Sequence, residues 1–295
     1  MTTSRIVIVM FLWAICFPLI VTGLPLMPHL FFATLRAVIA GTVLLGIALY
    51  LKRPMPGSWT TWWQITFIGI GATTFGFIGM FHAAEFVNPG LATVIANTQP
   101  LLAALLGHFI LGERLTLKRQ SGLILGFAGI LIITIPQLIN GKTESYLLGI
   151  GYIFLAALGI TFSNVMIKKL PKKVDALVAM GWQLVLGAIP LGVLSLLTED
   201  LTAATWSVKF VFNLLGLALF GTALAYWMWC RILREVLLVR ANAFNFLVPL
   251  FGLTMGAVFY NEVITVTIII GAIISVLGVW ITARTEGASR PLNSQ

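Results

Sequence analysis

Most of the hydrogen-bonding side chains inside the apolar parts of this sequence are uncharged amides and hydroxyls. They belong to Asn97, Thr98, Gln99, Thr161, Asn164 and Asn245. Burying such groups without partners costs roughly 2–7 kcal/mol each. We therefore expect these side chains to face one another or a water-filled cavity, where they can bind the polar end of a small molecule. Hydrogen bonding between helices is the alternative interpretation.

Aromatic side chains occur at a similar depth in the same or neighbouring apolar stretches. They are Trp13, Phe17, Phe77, Phe81 and Tyr226. Aromatic rings beside neutral polar groups are typical of a pocket for a molecule with one polar and one apolar end. Packing between helices is the alternative interpretation of these rings.

Three prolines fall within the apolar stretches, namely Pro18, Pro100 and Pro249. Proline has no backbone N–H, so it leaves a carbonyl unpaired and bends a helix. In a membrane such irregular backbone is tolerated only next to protein or water. We predict that these prolines act as hinges beside the pocket.

Residues suited to covalent or metal chemistry are few. Arg36 is the one cation within an apolar stretch, as either a structural arginine or a counter-charge for a carboxylate. Cys16 and Cys230 are too few to indicate a disulfide framework or a metal cluster. We predict no catalytic residue, no metal site and no cofactor.

The elements that position these residues are long apolar helices. The chain is 59% hydrophobic and 9% charged, whereas a soluble domain has about 25% charged residues. Its apolar runs are about 18–24 residues long, the length that crosses a bilayer as a helix. We predict ten spans, at about 6–23, 29–51, 60–82, 88–109, 119–137, 147–167, 176–197, 207–230, 241–260 and 264–283.

The chain contains an internal repeat. A shift of 149 positions places Pro100 on Pro249, Gly107 on Gly256 and Glu113 on Glu262. Five spans per half is an odd number, so the second half must be inverted relative to the first. The predicted fold is an all-α integral membrane protein with ten transmembrane helices in two inverted five-helix repeats, residues 1–143 and 144–295.

Spans five and ten carry small residues every three or four positions. These are Gly122, Gly126, Gly129, Gly271, Ser275 and Gly278. Small residues at this spacing let two helices approach closely. We predict that both spans serve for packing.

The net charge of +9 is distributed in a way that indicates a membrane and not a nucleic acid as partner. If the N-terminus is cytoplasmic, all but three of the 18 lysines and arginines lie on that side; the exceptions are Arg36, Lys142 and Lys209. This is the positive-inside pattern. We expect a multi-pass protein of the cell inner (plasma) membrane, with both termini cytoplasmic. Its expected partners are lipid and a small-molecule substrate, and nothing in the sequence demands more than a monomer.

Two sequence runs resemble a known family. The first copy of the repeat has the more specific sequence, Pro100 to Gly107 followed by Leu111 to Thr116. The second copy, Pro249 to Glu262, lacks the Gly-Glu-Arg run. With these runs the chain resembles the drug/metabolite transporter superfamily, in particular its ten-span EamA-type members. Within that group it is similar to bacterial inner-membrane exporters of amino acids, including aromatic ones. The resemblance implies a central cavity lined by spans one, three, four, six, eight and nine.

The expected function is export of small neutral metabolites, amino acids above all and aromatic ones among them, by alternating access. A multidrug exporter of the same fold is the first alternative, although cationic drugs usually require a buried carboxylate at mid-membrane. An integral-membrane enzyme that modifies lipids is the second alternative. It would need converging histidines or acids, which the predicted spans do not offer, so we expect no enzyme.

Overall fold

The computed structural model describes residues 2–82, 96–140, 146–260 and 265–284 of the chain. For a few of these, including Phe17 and His82, only the backbone is described, so the predicted role of the Phe17 ring lies outside the described part. Every regular element in the described ranges is helical, in agreement with the predicted all-α class.

Thirteen α-helices follow one another along the described chain. They are α1 (Thr2–Gly23), α2 (His29–Tyr50), α3 (Trp59–Gly69), α4 (Gly76–His82), α5 (Gln99–Leu111), α6 (Leu117–Asn140), α7 (Tyr146–Lys169), α8 (Ala176–Thr198), α9 (Val208–Ala218), α10 (Ala225–Glu235), α11 (Leu238–Ala243), α12 (Leu247–Tyr260) and α13 (Val266–Arg284). A π-helical turn joins α3 to α4, another joins α9 to α10, and a 3-10 turn joins α11 to α12.

Eight helical segments of the described chain are long and apolar enough to cross a membrane. The shorter apolar helix α5 begins only at Gln99, although the sequence predicts a span from about residue 88. The structure therefore supports a multi-pass membrane protein, while the count of ten spans stays a prediction.

Three helix starts in this bundle have a side-chain cap. Ser58, Asp175 and Ser207 each precede a helix, and each side chain accepts a hydrogen bond from a backbone N–H of the first turn. Such caps satisfy N–H groups that have no partner within the helix. They help to define where α3, α8 and α9 begin.

The two π-helical turns occupy matching places in the two halves of the chain. They cover Ile70–Phe75 and Leu219–Leu224, so their first and last residues are 149 positions apart, the offset of the sequence repeat. A π turn widens the helix locally and is frequent at functional sites. Thr73 in the first turn donates to Gln183 of α8 at 2.9 Å, which fixes that turn against its neighbour.

Helices α6 and α13 pack on each other through small residues, as predicted for spans five and ten. A methyl group added at Gly129 would come within 2.5 Å of the Gly271 carbonyl oxygen, and one at Gly122 within 2.9 Å of the Gly278 carbonyl oxygen. Ser275 donates a hydrogen bond to the Gly126 carbonyl at 2.9 Å. The backbones are therefore in direct contact, which only such small side chains allow.

The predicted hinge prolines fall at different kinds of position. Pro18 lies inside α1, where it removes one hydrogen bond of the helix, as expected. Pro100 and Pro249 instead lie in the first turns of α5 and α12. A missing N–H is tolerated there. Pro249 lies in the helical segment Leu238–Met255, just after the 3-10 turn that interrupts it, and the hinge role of these two prolines stays a prediction.

Candidate functional site

Asn242 of α11 is the centre of a buried cluster of amides. The side-chain nitrogens of Gln99, Asn164 and Asn245 donate to its carbonyl oxygen at 3.4, 3.3 and 3.4 Å. Asn242 has no exposed surface. Helices α5 and α7 and the turn after α11 therefore meet at one oxygen atom. We call the side chains of Gln99, Asn164, Asn242 and Asn245 the amide cluster.

The orientation of the Asn242 side chain is set by its own helix. Its amide nitrogen donates to the Leu238 carbonyl, one turn earlier, at 3.0 Å. The carbonyl oxygen is thereby turned toward the three donors. An oxygen with two lone pairs that receives three donors at 3.3–3.4 Å forms long, weak bonds, so these donors are available to a better acceptor.

A spare acceptor lies in the same place. The side-chain oxygen of Asn245 is buried and has no hydrogen-bond partner within the described part of the chain. Unpaired buried polar atoms are rare, and in a binding site they mark positions that a ligand or water can complete. The amide cluster thus offers both donors and an acceptor without any formal charge.

Aromatic rings continue directly from the amide cluster. The indole N–H of Trp229 in α10 donates to the Asn164 side-chain oxygen at 2.9 Å. Trp13 of α1 stands edge-on to Trp229, with ring centroids 5.1 Å apart, and to Tyr226, at 6.4 Å. Trp13 and Tyr226 are only partly buried, so they present apolar surface next to the amides.

The remaining predicted polar residues lie just before α5 and in α7. Asn97 is buried and Thr98 partly buried in the turn before α5. Thr161 is buried and donates to the Ala157 carbonyl of its own helix at 2.6 Å. The structure thus brings together Gln99, Asn164 and Asn245, while Thr161 satisfies its hydroxyl locally.

Phe77 and Phe81 are buried and pack against other rings. Each is 1% exposed. Phe81 packs edge-on to Phe32, with centroids 5.7 Å apart, and Phe77 lies 6.2 Å from Phe81. The guanidinium carbon of Arg36 lies 4.5 Å from the ring centroid of Phe77. The role of both rings in the pocket wall stays a prediction.

Glu113 ties three parts of the bundle together. It follows Gly112, which adopts the left-handed backbone conformation with φ of 66°. Its carboxylate accepts the backbone N–H groups of Leu238 and Val239 at 2.7 and 3.3 Å, and lies 3.1 Å from the Lys168 ammonium. Gly107 leaves room for it, because a methyl group there would lie 3.3 Å from the carboxylate. Gly107, Gly112 and Glu113, which belong to the runs that carry the family resemblance, thus have a structural role.

Asn242 and Trp229 lie in the candidate site but are not among the substrate-binding residues predicted from the sequence. The signal that could have found them is helical spacing, since Asn242 precedes Asn245 by three residues and Trp229 follows Tyr226 by three. Residues three apart share a helix face. A shared face favours both residues as candidates. It does not show that the side chains of Gln99, Asn164 and Asn245 all donate to Asn242.

The fold and the site define the class of protein. Apolar helices of membrane-spanning length surround a buried cluster of amides and aromatic rings, the architecture of a membrane transporter for small molecules. A more specific assignment follows from comparison with known families. The family model described as "EamA-like transporter family" matches residues 4–135 and again residues 147–284. The chain belongs to this family.

Individual relatives and a solved structure agree with that assignment. The chain is 29% identical over 301 residues to the "Probable amino-acid metabolite efflux pump" of Salmonella typhimurium, covering 95% of this chain and 97% of that one. It is 27% identical to "Uncharacterized transporter YoaV" of Bacillus subtilis, covering 95% and 96%. A crystal structure with 18% sequence identity superposes with a TM-score of 0.79 and covers 95% of both chains, which shows a shared fold.

Proposed function

We propose that this transporter exports small, largely neutral metabolites, specifically amino acids with aromatic ones among them, by alternating access. The observation that carries the proposal is the amide cluster around Asn242, with the rings of Trp229 and Trp13 beside it. Uncharged donors and acceptors suit a polar head group, and aromatic rings suit a flat apolar tail. The printed name of the Salmonella typhimurium relative, an amino-acid metabolite efflux pump, supports the same substrate class.

Neutral hydrogen bonds fit the needs of an exporter. Each contributes about 0.5–1.5 kcal/mol net, less than a hydrogen bond to a charged group. A site built from amides therefore holds its cargo weakly and releases it readily. Displacing the long bonds to Asn242 costs little, so a substrate can exchange with the internal contacts of the cluster.

Alternating access requires two halves that can exchange roles. We propose that residues 1–143 and 144–295 are inverted repeats of five spans each, in a bacterial-type inner membrane, with both termini cytoplasmic. The matching positions of the two π turns, 149 residues apart, support the repeat. The two matches to one family model support it as well.

A multidrug exporter of the same fold is the alternative within this class. Cationic drugs favour a buried carboxylate. The buried carboxylates of the described residues, Glu113 and Glu199, are both occupied by backbone N–H groups at helix starts. Neither is a group of the amide cluster, which favours amino acids over cationic drugs.

Counterflow in proteoliposomes tests the proposal. Purified protein is reconstituted with an internal excess of one unlabelled amino acid, and uptake of labelled aromatic, aliphatic and acidic amino acids and of a cationic drug is measured. We expect aromatic amino acids to exchange fastest. Gln99→Ala or Trp13→Ala should lower the rate about tenfold, which corresponds to about 1.4 kcal/mol.

Ile124→Ala is the matched control, because Ile124 is 65% exposed on the surface of α6 and faces away from the cluster. It should leave the rate unchanged at equal protein levels. Two results would contradict the proposal: no counterflow of any amino acid by the wild type, or full transport by a Trp13/Asn97/Gln99 triple alanine variant.

A further inference from the structure

Arg36 is a buried cation whose hydrogen-bonding capacity is only partly used. It is 2% exposed. Its Nε donates to the Thr222 hydroxyl at 2.7 Å, and Nη2 makes a long contact of 3.7 Å to the Cys16 sulfur. Nη1 has no hydrogen-bond partner among the residues that the structure describes. A guanidinium carries five N–H donors, so most of them point at no acceptor.

The positive charge of Arg36 has no negatively charged partner among the described residues. Arginine stays protonated in proteins, and buried charges are ordinarily paired. Within the described ranges no acidic side chain lies within ion-pair distance of Arg36. The ring of Phe77 and the hydroxyl of Thr222 offset part of the desolvation cost, but neither supplies a negative charge.

The hydroxyl of Thr222 fixes the orientation of the Arg36 guanidinium. Thr222 donates its own hydrogen to the Leu217 carbonyl at 3.0 Å, so its lone pairs face Arg36. The Nε bond then fixes the plane of the guanidinium and leaves its Nη1 corner free. Fixing the donor in advance lowers the entropy lost when a carboxylate binds.

The neighbours of Arg36 connect it with the amide cluster. Thr222, Tyr226 and Trp229 follow one another at intervals of four and three residues, on one face of the segment from the second π turn into α10. Seven residues of helix span about 10 Å. Arg36 bonds to the first of these three residues and the amide cluster bonds to the last. Aromatic surface lies between the two ends.

We propose that Arg36 binds the carboxylate of the transported molecule, so that the substrate class is metabolites with one free carboxylate and an apolar, preferably aromatic, body. This rests on the proposed function and makes Arg36 a second position on the same pathway. The carboxylate and the ammonium of an amino acid share one carbon, so the head group occupies the amide cluster and Arg36 in turn and not together. One arginine matches one negative charge. A phosphate dianion would leave a second charge uncompensated, so the single cation favours carboxylates over phosphate esters.

The test compares two competitors of similar size and shape, 3-phenylpropanoate and 3-phenylpropanamide, of which only the first carries a negative charge. Each is added to counterflow of labelled phenylalanine by wild type, Arg36→Lys and Arg36→Gln. We expect the wild type to prefer the carboxylate by tenfold or more. Arg36→Gln should reduce that preference to about twofold or less, and Arg36→Lys should keep an intermediate preference because it retains the charge without the planar fork.

Arg231→Gln is the matched control. Arg231 also lies over an aromatic ring, that of Trp227 at 5.3 Å, but it is exposed at the surface of α10. The preference for the carboxylate should be unchanged in this variant. If Arg36→Gln does not fold, Thr222→Val loosens the guanidinium instead, and it should weaken inhibition by the carboxylate and not by the amide.

The outcomes separate this inference from the proposed function. If amino acids are exchanged and both competitors inhibit the wild type equally, the proposed carboxylate subsite is refuted, whereas the proposed amino-acid transport is not. A preference that persists undiminished in Arg36→Gln also overturns the subsite. If no amino acid is exchanged, quenching of tryptophan fluorescence by 3-phenylpropanoate measures binding directly. Quenching that depends on Arg36 then supports the subsite although the proposed substrate fails, and quenching that does not depend on Arg36 overturns it.

Discussion

At the scale of single residues, the amide cluster depends on one acceptor. Asn242 receives three amide donors, and its own amide nitrogen is bonded to the Leu238 carbonyl. If it is removed, the donors of Gln99, Asn164 and Asn245 lose a common partner at once. Each buried donor left unpaired costs about 1–3 kcal/mol.

We predict that Asn242→Ala lowers transport more than any single change among its three donors, by well over tenfold. It should also lower thermal stability in detergent, measured by the loss of the main size-exclusion peak on heating. Asn213→Ala is the control, because Asn213 donates to the Leu19 carbonyl at 2.7 Å, between α9 and α1, away from the cluster. A larger loss of transport in Asn213→Ala than in Asn242→Ala would contradict the central role of Asn242.

At the scale of elements, carboxylates attach helix starts to other helices. Glu113, after α5, binds the first N–H groups of α11, and Glu199, after α8, binds those of Leu30 and Phe31 in α2 at 2.8 and 2.9 Å. The N-terminus of a helix carries a partial positive charge, so a carboxylate is stabilised there. These contacts fix the relative position of the helices. The hydrophobic effect cannot do so within a bilayer, because lipid tails are as apolar as the helix surfaces.

We predict that Glu113→Gln lowers stability by about 1–3 kcal/mol, because it removes a charge from a buried helix start and from Lys168. Thermal unfolding in detergent measures the change. Glu235→Gln makes the same chemical change in the exposed ion pair with Arg5, where pairs contribute about 0–1 kcal/mol. Equal destabilisation by both variants would show that the contact of Glu113 with α11 has no special weight.

At the scale of the whole molecule, the described structure supports a bundle of membrane-spanning helices, and the proposed orientation rests on charge. Lys172 and Lys173 lie in the loop after α7, and Glu199 and Asp200 follow α8. The positive-inside rule places the first loop in the cytoplasm and the second outside. The inverted arrangement of the two halves requires this topology.

Labelling of introduced cysteines tests that topology. Lys172→Cys and Asp200→Cys occupy exposed positions, and the native Cys16 and Cys230 are buried and can be replaced beforehand. In intact cells we predict that a membrane-impermeant maleimide labels position 200 and not position 172. After permeabilisation both should react, and labelling of position 172 in intact cells would overturn the orientation.

The sequence alone determined the features that depend on local composition and spacing. Long apolar runs predicted a helical membrane protein, and small residues at regular intervals predicted the close contact of α6 with α13, which the glycine contacts confirm. The resemblance to EamA-type transporters, drawn from the run around Glu113, is confirmed by the family match. Such features follow from helix periodicity and from transfer to an apolar solvent, which each segment expresses by itself.

The tertiary structure alone decided which polar groups meet. Asn242 lies 78 positions from Asn164 and 143 from Gln99 along the chain, and their contact depends on the rotation and depth of three different helices. A hydrogen bond tolerates errors of only a few tenths of an ångström, which no spacing rule provides. The same limit explains why Thr161 turned to its own helix, why Phe77 lies under Arg36, and why one corner of that guanidinium has no partner in the described part of the chain.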